Sequence, residues 1–167
     1  PQGSSLEYED LWEGFDSHRD RILRSLSLLQ GRARLRGILN PYGVTSQLPG
    51  AQQRFVPTSP LFRAEFAEFL EEKYKNVRNV LQAWAASGGE FESFDDVARL
   101  VPLWSGQRGV ALLYDAERDV RVGCNMRRSV VWDDIAQAIA QTRERRFAKF
   151  VEAIHTLADV PVLQEWN

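Results

Sequence analysis

The sequence predicts a helix-rich α/β fold, and two observations carry that prediction. Three long stretches place apolar residues at the spacing of one helix face: about 6–30, 60–87 and 132–157. Two short apolar stretches, 35–39 and 160–164, are typical of strands, and about 120 residues of mostly helical chain separate them. Such strands can pair in parallel only through a long crossover. The order of elements is therefore that of an α/β alternation.

Length, composition and charge narrow the class of protein. The chain has 167 residues, 44% hydrophobic and 26% charged, which suits one compact domain and excludes a disordered or collagen-like chain. A formal charge of −2 predicts no general attraction to nucleic acid or to an anionic membrane, and no apolar run is long enough to cross a bilayer. One cysteine, Cys124, and two histidines predict neither a disulfide nor a metal site, and no cofactor motif occurs.

The first part of the chain has recognisable helix and strand boundaries. Ser4 and Glu7 have the spacing of a capping box at the start of the first helix, and Gly31 is a natural stop for it. The first strand leads into a long loop, predicted over residues 41–59, which holds three of the seven prolines. A loop of this length in a compact domain is usually functional or mobile.

The second helix is the most clearly marked element. Ser59 can cap it, Pro60 suits its first turn, and Gly88 and Gly89 end the run. An excursion follows over residues 87–131. It contains a helical turn that begins at Ser93, and two strands, 109–114 and 120–124, joined by a polar loop into a hairpin.

Both ends of the chain indicate a piece of a longer polypeptide. Residue 1 is proline, and no secretory signal pattern is visible. Residues 160–167 have the pattern of a strand that ends with no loop after it. We therefore expect residues 1–167 to form a single segment of a larger fold.

Polar and aromatic residues follow the two strands that we expect to pair. In α/β barrels, functional side chains lie at the carboxyl ends of the strands. Here those ends carry Asn40, Tyr42, Glu165 and Trp166, and Trp104 lies in the excursion. Aromatic faces suit the apolar faces of sugar rings, so Tyr42, Trp104 and Trp166 are candidates for stacking on a sugar, the alternative being ordinary packing residues.

Three stretches together carry a resemblance to a known family. They are Leu35-Arg-Gly-Ile-Leu-Asn-Pro-Tyr-Gly43, the apolar helix of residues 62–84, and Phe91-Glu-Ser-Phe-Asp-Asp-Val97 with Pro102 after it. This pattern resembles the catalytic barrel of the family-42 glycoside hydrolases, the β-galactosidase-like group. The resemblance covers most of residues 20–167. It implies a partial (β/α)8 TIM-barrel segment, from about helix 3 to strand 5, with a small β-hairpin excursion.

The resemblance also makes a catalytic comparison possible. Glycoside hydrolysis normally needs two carboxyl groups facing each other across the scissile bond. In the family, the proton donor is the glutamate that follows the strand-four asparagine, and that asparagine contacts the sugar. Asn40 matches the asparagine, but Pro41 stands at the glutamate position and offers no proton. The nucleophile of the family lies on a later strand that this chain does not contain.

Glu165 is the candidate substitute carboxyl group, because it lies at the end of the last predicted strand. Its alternative role is that of an exposed terminal glutamate. Whether the chain belongs to an enzyme therefore stays open, and we do not expect the isolated chain to hydrolyse glycosides.

Two functional hypotheses follow. The first is a fragment or degenerate member of a glycoside hydrolase barrel, with carbohydrate as its ligand and no cofactor. The second is a helix-rich interaction module that docks apolar helix faces on a partner or on the rest of its own polypeptide. The barrel hypothesis requires strands 35–39 and 160–164 to be parallel neighbours, and it predicts exposed apolar helix surface and self-association.

Overall fold

The computed structural model describes residues 12–29, 35–41, 56–57, 59–104, 110–125 and 127–164. These residues form a mixed α/β structure with five helices and small sheets. The helices are α1 (Phe15–Leu29), α2 (Pro60–Tyr74), α3 (Val77–Ala83), α4 (Phe94–Ala98) and α5 (Val131–His155). The strands are β1 (Ile38–Leu39), β2 (Ala86–Ser87), β3 (Val101–Trp104), β4 (Val110–Asp115), β5 (Val120–Cys124) and β6 (Val162–Leu163).

The chain divides into two compact units. The first unit contains α1, β1, β6 and the part of α5 from residue 141 onward, and the second covers residues 58–140. The first unit holds a two-stranded sheet in which β1 and β6 are parallel, with Ile38 opposite Val162 and Leu39 opposite Leu163. The parallel pairing predicted for these strands is confirmed, although each strand is shorter than its apolar stretch.

The second unit holds an antiparallel sheet of strand order β2-β5-β4-β3. The predicted hairpin is confirmed as β4 and β5, which pair from Leu112 opposite Gly123 to Asp115 opposite Val120. Helix α2 packs against α4, and the predicted helical turn at Ser93 is confirmed as α4, which Ser93 begins with a complete capping box. Strands β2 and β3 were not predicted.

Aromatic side chains form the core of the second unit. Phe66 stacks on Phe62 with ring centroids 5.4 Å apart, and it lies 6.1 Å from both Phe69 and Trp84. Phe62, Phe66 and Trp84 are fully buried. Burial of side chains of this size is the main favourable contribution to folding, and aromatic stacking adds to it.

The predicted single helix over residues 60–87 is wrong, because it breaks after Tyr74. Lys75 takes the left-handed conformation at φ 66° and ends α2, and the Asn76 side chain accepts a hydrogen bond from the Asn79 N–H to begin α3. The apolar pattern continues across the break, so periodicity alone does not reveal it.

The first helix also differs from its prediction. Residues 12–14 form a turn rather than helix, and the Gly14 carbonyl accepts the His18 N–H at the start of α1. The proposed capping box at Ser4 and Glu7 lies outside the described residues, as does most of the predicted loop 41–59. Leu29, the last residue of α1, is 46% exposed.

Candidate functional site

The carboxyl end of the β1–β6 pair is the place where the sequence predicted a site. The Ile38 N–H donates to the Pro161 carbonyl at 2.9 Å, and the Asn40 N–H donates to the Leu163 carbonyl at 2.7 Å. The second bond lies just beyond the last paired residues. It therefore holds Asn40 directly beside the end of β6.

The backbone of Asn40 turns the chain away from the strand. Its φ is 48°, in the left-handed region, where asparagine is one of the few side chains commonly found. This conformation ends β1 and directs the chain into Pro41. The residue type at position 40 therefore has a backbone role as well as a side chain suited to hydrogen bonding.

A buried histidine fixes the position of Pro41. His18 in α1 is 6% exposed, and its Nε2 lies 3.0 Å from the Pro41 carbonyl oxygen. The Arg21 guanidinium lies 2.8 Å from the other ring nitrogen, Nδ1. Because arginine can only donate, Nδ1 accepts and Nε2 carries the hydrogen that Pro41 receives. The first helix thus holds the start of the loop that follows β1.

The β1–β6 pair has one apolar exposed face. Leu39 and Leu163 lie opposite each other and are 68% and 63% exposed, while Ile38 and Val162 are half-buried. Parallel sheets normally have both faces covered by other elements. The leucine pair thus leaves an apolar part of one face of this sheet exposed.

Only part of the predicted set of site residues can be placed. Asn40 lies at the carboxyl end of β1, as expected, whereas Tyr42, Glu165 and Trp166 lie outside the described residues. Trp104 is the last residue of β3, in the second unit. Pro41, which follows Asn40, has no ionisable group.

The second unit contains a buried polar cluster that the sequence reasoning missed. Asp134 in the first turn of α5 has no exposed surface, and it accepts hydrogen bonds from three side chains. The donors are Trp84 Nε1 at 2.6 Å, Lys73 Nζ at 2.7 Å and Tyr74 Oη at 2.8 Å. The carboxylate therefore joins the end of α2 and the residue after α3 to the start of α5.

The chemistry of this cluster is structural. Burial, followed by the hydrogen bond to Asp134, raises the pKa of Tyr74 well above its usual range, so the hydroxyl stays protonated and donating. Asp134 in turn has its charge neutralised by Lys73. A buried carboxylate with three side-chain donors links the segments that supply those donors.

A second charged cluster holds the β4–β5 hairpin against α4. Burial acts to raise the pKa of Asp96, but hydrogen bonds from the Glu92 and Ser93 backbone and from Arg99 outweigh it and lower that pKa to about 2. Arg99 also donates to the buried Asp115 at 3.2 Å. Asp115 accepts the Glu117 N–H at 2.9 Å, which shapes the hairpin loop.

The side chain of Cys124 is a donor rather than a nucleophile. Burial raises the pKa of its thiol, and its Sγ lies 3.1 Å from the Trp84 carbonyl oxygen. Among the described residues, no group of three or more His, Cys, Asp or Glu side chains is arranged to hold a metal ion. None of the described helices has the length and apolar character needed to span a membrane.

Comparison with known proteins adds no family. No protein-family model, no curated protein and no solved structure matches this chain significantly. The interpretation of the site therefore rests on its geometry and on the motifs in its sequence.

Proposed function

We propose that the first unit supplies two neighbouring strands of a glycoside-hydrolase-like (β/α)8 barrel, that it contributes to a carbohydrate site, and that the chain does not cleave glycosidic bonds by itself. The observation that carries this proposal is the parallel pairing of β1 with β6, with Asn40 at its carboxyl end. In barrels of this type, functional side chains lie at that end of the strands.

The helices of the first unit support the same architecture. Arg146 in α5 lies over the Phe15 ring at the start of α1, 5.3 Å from its centroid, and Leu28 and Leu157 line one depression near the ends of both helices. Because these contacts follow the same order along both helices, α1 and α5 run in the same direction. Successive helices of a (β/α)8 barrel have this relation, since each lies outside a parallel sheet.

The exposed pair Leu39 and Leu163 supports an incomplete sheet. A barrel interior is filled by layers of branched apolar side chains from its strands. Two leucines side by side on an uncovered face have the chemistry of a part of such an interior. Further strands would bury them.

The choice of carbohydrate as ligand rests on Asn40. The side-chain amide offers an acceptor oxygen and two N–H donors, a combination suited to sugar hydroxyl groups. The resembled family uses the matching asparagine for sugar contact. The proposed absence of hydrolysis rests on Pro41, since a glycosidase needs a proton donor near the scissile oxygen.

Titration calorimetry of the chain with lactose and other glycans tests this function. We expect saturable binding of a β-galactoside that Asn40→Gly weakens about three- to tenfold, the worth of one hydrogen bond. Glycine keeps the left-handed backbone conformation, so this variant removes the amide with little strain. Lys75→Gly is the matched control, because Lys75 also has a positive φ but lies in the second unit.

Two results would contradict the proposal. One is the absence of binding to every glycan, and the other is equal binding by the wild-type chain and Asn40→Gly. A p-nitrophenyl β-galactoside assay completes the test, and release of p-nitrophenol above the rate of the buffer would refute the lack of hydrolysis.

A second candidate function is the helix-rich interaction module, and the outer surface of α1 favours it. Leu28 and Leu29 at the end of α1 are 71% and 46% exposed. Exposed apolar surface bordered by charged side chains is typical of an association site. A chain that binds no glycan but associates through α1 would favour this second function.

A further inference from the structure

A shallow apolar depression lies between α1 and the last turns of α5, within the first unit. Its volume is about 590 Å³. The residues around it are Asp20, Leu23, Arg24, Ser27, Leu28, Ala153, Thr156 and Leu157. None of these residues belongs to β1 or β6, the strands that carry the proposed carbohydrate site.

The hydroxyl groups at this surface are occupied by their own helices. The Ser27 hydroxyl donates to the Leu23 carbonyl at 2.9 Å, and the Thr156 hydroxyl donates to the Ala153 carbonyl at 2.7 Å. Both polar groups are thereby satisfied within one turn. The depression therefore offers an apolar surface formed mainly by leucine and alanine side chains.

Two opposite charges lie on the same edge of the depression. Asp20 receives two hydrogen bonds from Arg19, both to its Oδ1 atom, at 3.1 and 3.0 Å. Arg24 lies one helical turn further along, and no ion pair joins it to any residue that the structure describes. The surface thus carries one carboxylate oxygen that can accept a hydrogen bond from another molecule and one guanidinium that can donate to another molecule.

This arrangement is complementary to itself. A two-fold axis places the same surface of two copies face to face. Every contact then occurs twice, because if one residue of the first copy contacts a second residue of the other copy, the reverse contact is also made. If two copies of α1 meet in antiparallel orientation, Asp20 of each lies opposite Arg24 of the other. The two ion pairs then lie close to the two-fold axis, with Leu23 between them and Leu28 further along the helix.

We propose that this surface, formed by the lining residues of the depression, binds a second copy of the chain in a symmetric dimer. The occupant is assigned by charge complementarity, because the uncompensated Arg24 and the nearby Asp20 match each other across a two-fold axis. Leu23, which lies between the two ion pairs, supplies the apolar contact near the axis. This inference makes the second candidate function specific and does not depend on carbohydrate binding.

Charge reversal and charge exchange test the dimer, with the full chain studied by sedimentation velocity over a range of concentrations. We expect Arg24→Asp and Asp20→Arg to raise the dimer dissociation constant at least tenfold each, because each puts like charges opposite each other twice. The double variant, with both changes, restores opposite charges and should return the dissociation constant to within about threefold of the wild-type value.

Arg78→Asp is the matched control. Arg78 is an exposed arginine in α3 of the second unit, so this change alters the net charge by the same amount as Arg24→Asp. It should leave the dimer unchanged. Circular dichroism of every variant shows whether the helices remain folded.

Three results for the dimer itself would overturn the proposal. They are a wild-type chain that is monomeric at every concentration, a dimer that single reversal does not weaken, and a double variant that fails to recover while still folded. An equal loss in Arg78→Asp would also overturn it, since net charge alone would then explain the effect. Failure of the glycan titration leaves all these results unaffected, so the two proposals are judged separately.

Discussion

Replacement of Asp134 by alanine should destabilise the second unit by about 3 kcal/mol, because one buried donor loses its acceptor and two further hydrogen bonds are lost. The largest contribution comes from Trp84, which is fully buried and would lose the acceptor for its indole N–H. An unsatisfied buried donor costs about 1–3 kcal/mol. Tyr74 and Lys73 would lose their bonds too, but both are partly exposed and can bond to water instead.

Urea unfolding followed by tryptophan fluorescence measures this loss. With a slope of about 2 kcal/mol per molar urea, the midpoint should fall by about 1.5 M. Asp133→Ala is the matched control, because Asp133 is an exposed neighbour in the same helical turn and also interacts with the helix dipole. A loss below about 1 kcal/mol for Asp134→Ala, or an equal loss for Asp133→Ala, would refute the structural role assigned to this carboxylate.

Two further predictions concern the second unit. The pKa of Asp96 is lowered from 3.8 to about 2, so the carboxylate contributes about 2 kcal/mol of stability above pH 4 that is lost as the pH falls from about 4 to about 2. Acid unfolding of Asp96→Asn should lack that portion of the pH dependence, and an unchanged acid profile would contradict the assigned hydrogen bonds. Gly89→Ala should be more destabilising than Gly88→Ala by about 1–3 kcal/mol in thermal or urea unfolding. Both glycines have a positive φ, but a Cβ at Gly89 would lie 2.5 Å from the Phe91 ring, whereas a Cβ at Gly88 would meet nothing within 4 Å. Equal losses of stability in the two variants would contradict this prediction and would show that the Phe91 ring moves away.

Local sequence signals predicted the elements that depend on local chemistry. Ser59 and Ser93 begin α2 and α4 as expected, because a cap needs only one side chain and the next few N–H groups. The break after Tyr74 was missed because apolar residues continue through it. Asn76 was the available signal, since asparagine is a favoured residue at the start of a helix.

Strand β3 was missed for a related reason. Pro102 lies within it, and proline argues against a central strand. The structure accommodates Pro102 because β3 is the outermost strand of its sheet. Edge position is a property of the whole sheet, and the sequence of one segment does not contain it.

The candidate site could be predicted only where it follows from strand pairing. Asn40 was placed correctly because the carboxyl ends of parallel strands meet at one edge of a sheet. The contact from His18 to Pro41 joins residues 23 positions apart, and those around Asp134 join residues 50 to 61 positions apart. Pairings of that kind depend on tertiary packing, which leaves no local pattern.

The two edge strands of the antiparallel sheet determine whether a strand from another molecule can pair with it. On one side β3 carries a proline, which lacks the N–H that an added strand would need, and on the other side β2 has only two residues. Neither border is a good template for a strand from another molecule. The addition of strands from other molecules to the edges of this sheet, which leads to fibres, is therefore disfavoured. This holds even at concentrations high enough for helical surfaces to associate.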